Sequence, residues 1–234
     1  MTEEEMMLGI PILDYKIPPH PKGLHLEGAY CRLEPLDPKR HASMLFSHLS
    51  GADTAQNWAY LPYGPFADEG AFAAWLSEMA GLDDPVFFTL LDKETGLALG
   101  LASYLRIKPE AGSIEVGHIH FSNKLQRSLM PSEAMYLMMG WAMEAGYRRY
   151  EWKCNALNLR SRRAAQRLGF SYEGVFRQAA IFKERNRDTA WFALIDSEWP
   201  ALKACFERYF ETHGEARLSE MTRPLLFKID PQLS

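Results

Sequence analysis

The chain has few cysteines and no long apolar run. Its 234 residues include three cysteines, an odd number, without a CxxC pair or the spacing of a zinc site. A disulfide framework and a structural zinc are therefore not expected. Charge or glycine interrupts each apolar stretch before the roughly 20 residues that cross a bilayer. The first residues, MTEEEMM, are acidic where a signal peptide is basic. We expect a cytoplasmic protein with no membrane partner.

Internal repeats and low-complexity tracts are also missing, so a single main domain is expected. Residues 1–28 contain several prolines and little periodicity, which predicts an extended N-terminal arm. The predicted domain spans 29–211, and a C-terminal extension spans 212–234. A homodimer would form through apolar residues of that extension, Leu225, Leu226 and Phe227.

The net charge of −4 is unevenly distributed. Between Lys124 and Arg187 there are 13 basic residues and 5 acidic ones, so the rest of the chain is strongly acidic. A local basic field in an acidic protein favours a compact anionic ligand over nucleic acid. Solvated helix faces would account for the same arginines without any ligand.

The first half of the chain predicts two helices and four strands. Asp37 and Pro38 mark the start of a helix that runs to about Leu49. Apolar residues at helical spacing, including Phe72 and Trp75, predict a second helix over about 68–81. Alternating and β-branched stretches predict strands over 30–36, 85–91, 97–106 and 113–122. The glycine inside the last of these favours a bulge.

The second half predicts a helix, a strand, a helix, two strands and a final helix. Their expected ranges are 132–145, 147–154, 158–168, 172–182, 189–196 and 197–210. Three consecutive strands followed by this order predict an α/β fold with a mixed sheet whose front half is antiparallel.

A short polar turn, from Gln126 to Pro131, leads into the helix predicted at 132–145. The start of a helix presents free backbone N–H groups at the positive end of its dipole. Such a loop and helix favour the binding of a phosphate group.

The motifs around this turn resemble the GCN5-related N-acetyltransferase (GNAT) superfamily, in particular its RimJ/RimL-type branch. HFSNKLQR followed by PSEA is similar to the family's strand, turn and helix start, and NLRSRRAAQRLGF (158–170) is similar to the branch signature. SYEGVFRQ, WAYLPYGPF and SIEVGHIHF add to the resemblance, which covers about 29–200. It implies the GNAT fold, acetyl-CoA as co-substrate, no metal, and the acetylation of a primary amine on a small molecule or a peptide N-terminus.

The resemblance also implies the residues that bind coenzyme A. They are His120, Phe121, Gln126, Arg127, Ser128, Leu129, Ser132, Asn158, Ser161 and Arg163. The family's loop has glycine, and glycine or alanine, where this chain has Leu129 and Pro131. Glycine lets backbone amides approach a phosphate closely, and proline has no N–H to donate. Arg127 and Ser128 are the candidates to compensate, while Asn158 and Ser161 would also serve as ordinary helix-capping and first-turn residues.

Acetyl transfer to an amine needs a base, and the best candidate is Glu115, with His118 as the second. The tyrosine acid of many relatives is replaced by Ala165, so Tyr172 or water is expected to protonate the thiolate. Cys154 is expected to be a buried, inert thiol rather than a nucleophile. His118 and His120, two apart in a strand, lack an identifiable third ligand for a metal.

Aromatic residues would line the cleft for the acceptor amine, since aromatic faces attract cations. The candidates are Trp58, Tyr60 and Tyr63. An alternative function follows from Leu129, Pro131 and Ala165: a GNAT fold with weak catalysis that binds acyl-CoA or another protein. Nucleic acid is not an expected partner, because the arginines of 160–167 lie on one short helix without interleaved aromatics.

Overall fold

The structure is a computed structural model that describes residues 9–51 and 54–233. Residues 1–8 of the expected N-terminal arm lie outside the described residues. The strands are β1 (Leu26–Glu27), β2 (Cys31–Pro35), β3 (Val86–Asp92), β4 (Ala98–Lys108), β5 (Ser113–Phe121), β6 (Arg149–Asn155), β7 (Ser171–Phe182) and β8 (Arg185–Ile195). The helices are α1 (Pro38–Leu49), α2 (Glu69–Ala80), α3 (Met130–Glu144), α4 (Leu159–Arg167), α5 (Trp199–Glu211) and α6 (Leu218–Thr222).

The eight strands form one sheet in the order β1-β2-β3-β4-β5-β6-β8-β7. Neighbouring strands are antiparallel throughout β1 to β5 and again from β6 to β7, whereas β5 and β6 are parallel. The predicted mixed sheet with an antiparallel front half is therefore confirmed. The short strand β1, which falls inside the expected extended arm, was not predicted.

The parallel pair β5–β6 is short, and this opens the sheet. Pairing runs only from Ser113 with Arg149 to Val116 with Trp152. Beyond Val116, β5 stays hydrogen-bonded to β4, and beyond Trp152, β6 stays hydrogen-bonded to β8. The two strands therefore diverge and leave a gap between their carboxyl ends.

Helices cover both faces of the sheet because the strand side chains alternate between two cores. Phe87 belongs to a core with Trp58, Phe72 and Trp75 under α1 and α2. Its neighbour Phe88 belongs to the larger core under α3, α4 and α5. Predicted and observed helices agree closely where a capping side chain is present. Asp37 and Asp68 each accept a hydrogen bond from the first turn of α1 and α2.

Strand β5 contains the bulge that its glycine favours. Leu101 pairs with His120 and Ser103 pairs with Gly117, so His118 and Ile119 together face one residue of β4. His118 takes a left-handed φ of 51°. Despite this extra residue, both rings contact the core under α1 and α2: His118 stacks on Phe87, and His120 lies against Trp58.

A buried glutamate fixes the start of α3 against the sheet. The Glu133 carboxylate accepts hydrogen bonds from the backbone amides of Ala29, Tyr30 and Cys31 at 2.6–2.8 Å. A Cβ at Gly28 would lie 2.3 Å from this carboxyl carbon, so only glycine fits there. The charge of Glu133 thus serves to place the helix that borders the gap.

The C-terminal segment, expected as an extension, packs on α4. Asp230 is fully buried and forms an ion pair with Arg162, with 2.6 Å between Oδ2 and Nε. The backbone amide of Phe227 donates to Ser171 Oγ, and Thr222 Oγ1 donates to the carbonyl of Arg167. In the part of the chain that the structure describes, no helix is long and apolar enough to cross a membrane.

Candidate active site

The gap between β5 and β6 holds two adjoining cavities. The larger, of about 720 Å³, lies between the end of β5, the start of α3 and the helix α4. The smaller, of about 150 Å³, lies between β4, β5, β6, the β7–β8 hairpin and the loop after Asn57. Tyr60, Trp152, Asn158 and Ser161 line both cavities, so the two form one cleft through the opened sheet.

The loop into α3 keeps free amide donors although it lacks glycine. Among the described residues, the backbone amides of Arg127, Leu129, Met130 and Ser132 have no hydrogen-bond acceptor, whereas the amides of Ser128 and Glu133 do. Leu129 adopts an ordinary right-handed conformation with φ −78°. Pro131 lies in the first turn of α3, where a helix tolerates proline, and it lines the larger cavity.

The side chains of this loop are less involved than expected. Gln126 lines the larger cavity, but Arg127, Ser128 and Leu129 are not part of its wall. Ser128 Oγ donates to the carbonyl of Leu125 at 2.9 Å. The Leu129 side chain points toward Gly214 and Tyr209. The loop would therefore bind an anion mainly through its backbone.

Helix α4 presents one face to the larger cavity. Asn158 caps the helix by accepting from the amide of Ser161 at 3.1 Å, and Ser161 Oγ accepts from Trp152 Nε1 at 3.0 Å. Arg160, Ala164 and Arg167 follow at helical spacing and line the same cavity. Asn158 and Ser161 are thus both helix-capping residues and cleft residues.

Two of the residues expected to bind coenzyme A, Arg163 and Ser132, do not line the larger cavity, whereas Arg160 and Arg167 do. Arg163 is exposed and lines neither cavity, because it occupies another face of α4. Ser132 is buried, and its hydroxyl accepts from Arg167 at 2.9 Å. Sequence reasoning missed Arg160 and Arg167, although their i, i+7 spacing on a helix capped by Asn158 would have identified the cleft face.

Glu115 lies at the centre of a charged cluster in the smaller cavity. Its side chain is 3% exposed, and Oε2 lies 2.8 Å from both Arg106 Nη1 and Lys153 Nζ. Burial raises the pKa of Glu115, although both cations act to lower it. Lys153 is also bound by Glu151 at 2.6 Å. Arg106, Glu115 and Lys153 come from three separate strands, and no local spacing in the sequence connects them.

His120 is buried and His118 is partly buried, and the two line different cavities. His118 lines the smaller cavity, and its Nδ1 lies 2.8 Å from Ser103 Oγ. Burial, with the charges of Arg106 and Arg187, lowers the pKa of His118 to about 4. His120 lines the larger cavity beside Trp58, and burial lowers its pKa to about 4 as well. Both rings are therefore neutral at pH 7.

Phe121, at the end of β5, lines the larger cavity together with His120. In the described part of the chain, no group of three or more histidine, cysteine, aspartate or glutamate side chains is arranged to hold a metal ion.

Three aromatic residues lie away from their expected positions. Trp58 is 1% exposed, donates from Nε1 to the carbonyl of Leu49, and lines neither cavity. Tyr63 is packed between Trp75 and His118 beneath the cavity wall. Tyr172 is buried against Phe192 on β8 and does not reach the cleft, which removes it as a proton donor.

Tyr60 does reach the cleft. It lines both cavities, and its hydroxyl lies 3.4 Å from the carbonyl oxygen of Leu157. Cys154 lines the smaller cavity, where burial raises the pKa of its thiol to about 11. A thiol with that pKa is protonated at neutral pH, in keeping with an inert side chain rather than a nucleophile.

Comparison with known proteins identifies the class to which this fold and cleft belong. Residues 31–171 match the acetyltransferase (GNAT) domain. A GCN5-related N-acetyltransferase from Brucella melitensis is 39% identical with a TM-score of 0.86, covering 90% of this chain and 99% of its own. The chain belongs to the GNAT family, as the sequence motifs predicted.

Two further structures extend this comparison. A probable acetyltransferase (GNAT family) from Chromobacterium violaceum is 38% identical with a TM-score of 0.78, covering 82% of this chain and 96% of its own. RimL, a ribosomal L7/L12 alpha-N-protein acetyltransferase, shares the fold at 18% identity with a TM-score of 0.62, covering 74% of this chain and 94% of its own. No functionally curated protein matches the sequence.

Proposed function

We propose that the protein is an acetyl-CoA-dependent N-acetyltransferase of the RimJ/RimL type that acetylates a primary amine by direct attack in a ternary complex. The observation that carries this proposal is the divergence of β5 and β6. It joins a large cavity at a helix N-terminus to a small charged cavity within one cleft. Such a cleft can hold two substrates with their reacting groups in contact.

Donors for a coenzyme A pyrophosphate lie beside the larger cavity, in the loop and first helical turn between Gln126 and Ser132. The free amides at the start of α3 supply hydrogen bonds to phosphate oxygens, and the helix dipole favours negative charge there. Gln126, Arg160 and Arg167 line the same cavity. Because Leu129 needs no left-handed conformation, the missing glycine does not close the site.

The smaller cavity has the groups for the proton transfers. Glu115, whose pKa is raised by burial, removes a proton from the amine directly or through water. The amine nitrogen then bonds to the acetyl carbon, and the thioester C–S bond breaks. Tyr60, on the wall common to both cavities, or water protonates the departing thiolate, in place of the buried Tyr172.

Calorimetry with coenzyme A and a thiol-release assay with a panel of primary amines test this function. We expect coenzyme A to bind, to raise the melting temperature, and to be released from acetyl-CoA in an amine-dependent reaction. Binding without release for any amine would instead support a GNAT fold that serves as an acyl-CoA-binding module. A chain that fails to bind coenzyme A would contradict both.

A further inference from the structure

The charges of the smaller cavity bear on the chemical class of the acceptor. The charged side chains on its wall are Arg106, Glu115, Lys153 and Arg187, and His118 beside them is neutral at pH 7. The wall therefore carries more positive than negative charge. These charges do not favour an acceptor whose only charge is that of its ammonium group.

Arg187 differs from the other two cations. Arg106 and Lys153 are both paired with Glu115. Arg187 forms no ion pair with any residue that the structure describes, and its guanidinium lies 4.4 Å from the ring centre of Phe182. Its Nε is fully buried and has no hydrogen-bond partner. A buried guanidinium N–H without an acceptor is rare, because the lost hydration is not replaced.

The surroundings of Arg187 make its positive charge unfavourable unless an anion binds to it. Burial lowers the pKa of Arg187 and the positive charge of Arg106 lowers it further, while Cys154 and Glu115 act in the opposite direction. The net shift is downward, so these neighbours do not offset the cost of burying the guanidinium charge. A carboxylate matches the planar, forked donors of arginine through two parallel hydrogen bonds.

The cavity walls limit the size of the acceptor. At about 150 Å³, the smaller cavity offers far less space than the larger cavity of about 720 Å³. Lys183, at the tip of the β7–β8 hairpin, donates to the backbone carbonyls of Trp58 and Gly64. This bridge holds the hairpin against the loop on the opposite side of the cavity. A small acceptor fits between these walls better than a protein chain.

We propose that the acceptor is a small amine that bears a carboxylate, of the amino-acid class, and that Arg187 binds this carboxylate while the amine faces Glu115. This inference rests on the proposed function and selects the small-molecule acceptor within it. In the reaction, the amine loses a proton to Glu115, the new N–C bond forms as the thioester C–S bond breaks, and coenzyme A leaves as the thiol. The product is an N-acetyl amino carboxylate.

The test compares each common amino acid and short ω-amino acid with its amide, in which the carboxylate is neutralised at nearly constant size. We expect at least ~30-fold higher kcat/KM for the best acid than for its amide, because an unpaired buried charge is penalised in the amide complex. The Arg187→Gln variant should reduce this ratio to near one. Arg185→Gln, an exposed change on the same strand, should leave it unchanged.

The outcomes separate this inference from the function on which it rests. Three results would each overturn the carboxylate assignment. The first is equal or faster turnover of the amides, and the second is no turnover of any carboxylate-bearing amine by a protein that binds coenzyme A. The third is a higher kcat/KM for O-phosphoethanolamine than for the best amino acid. A ratio that survives Arg187→Gln would overturn the role of Arg187. Failure to bind coenzyme A would instead overturn the proposed acetyltransferase function. Binding of coenzyme A by Arg187→Gln, measured by calorimetry, shows that the variant is folded.

Discussion

The two sides of the cleft are built from different parts of the chain. On the side of the larger cavity, the free amides and the arginines lie within one continuous stretch, from Gln126 to Arg167. On the side of the smaller cavity, the charges come from four strands, with Arg106 on β4, Glu115 on β5, Lys153 on β6 and Arg187 on β8. The proposed co-substrate site is thus built from one local stretch, whereas the proposed acceptor site exists only after the sheet has formed.

The largest effect is expected when the Glu115 carboxylate is removed from the smaller cavity. Glu115→Gln should lower kcat for acetyl transfer about 100- to 10,000-fold, the usual contribution of a positioned base, while the Kd for coenzyme A stays within about twofold. Steady-state kinetics and calorimetry measure the two quantities, with the exposed Glu94→Gln as the matched control.

Because Glu115 also pairs with Arg106 and Lys153, the melting temperature of Glu115→Gln must be measured beside its activity. A kcat within tenfold of the unmodified protein would exclude Glu115 as the base. The pH profile gives a second check: since the base must be unprotonated, activity should fall as the pH drops through the raised pKa of Glu115.

The face of α4 that carries Arg162 points into the protein and should contribute to stability rather than to the binding of coenzyme A. Arg162→Ala leaves the fully buried Asp230 without its cation, and we expect a loss of about 3–5 kcal/mol in the free energy of unfolding. Urea denaturation measures it. Arg163→Ala, one residue along the helix but exposed, should change stability by no more than about 0.5 kcal/mol. Equal effects of the two changes would contradict the assignment of faces on α4.

His118 and His120 should make the protein less stable in mild acid. Both have folded-state pKa values lowered to about 4, against about 6.5 in the unfolded chain. Between these values the unfolded state binds more protons, so stability is present above pH 6.5 and is lost as the pH falls toward 4. At pH 5 the loss should be about 2 kcal/mol for each ring.

Urea denaturation at pH 7 and pH 5 measures this dependence. His120→Gln should reduce the difference between the two pH values, because the substitute does not titrate. The solvent-exposed His20→Gln is the matched control and should leave the difference unchanged. A pH dependence that is the same in both variants would show that His120 is not responsible.

The smallest expected effect concerns the arginines on the larger cavity. Arg167 already donates to Ser132 and Tyr209 and lines the cavity. Arg167→Gln should weaken coenzyme A binding by roughly tenfold, the magnitude of one hydrogen bond to a charged group, and should reduce the salt dependence of Kd. Arg163→Gln, on the exposed face, should bind normally. If Arg163→Gln were the weaker binder, the cleft face of α4 would be wrongly assigned.

The sequence predictions succeeded where the signal is local in the chain and failed where it depends on distant residues. The helices that begin at Asp37 and Asp68 were predicted almost to the residue, because a capping side chain and the apolar spacing are local signals. Asn158 and Gln126 were placed on the cleft by their motifs. Tyr172 and Trp58 were placed there wrongly, because a sequence shows that an aromatic residue is present but not toward which layer of the fold it points.

What the sequence by itself determined is the family, the order of the main helices and strands, and the loop that leads into α3, since all of these depend on residues close together in the chain. Tertiary structure alone decided where β5 and β6 part and which arginines of α4 face the cleft. It also placed Arg187 in the same cavity as Glu115 without an ion pair to any residue that the structure describes. The physical reason is that burial and charge pairing depend on neighbours from distant strands, which only the folded sheet brings together.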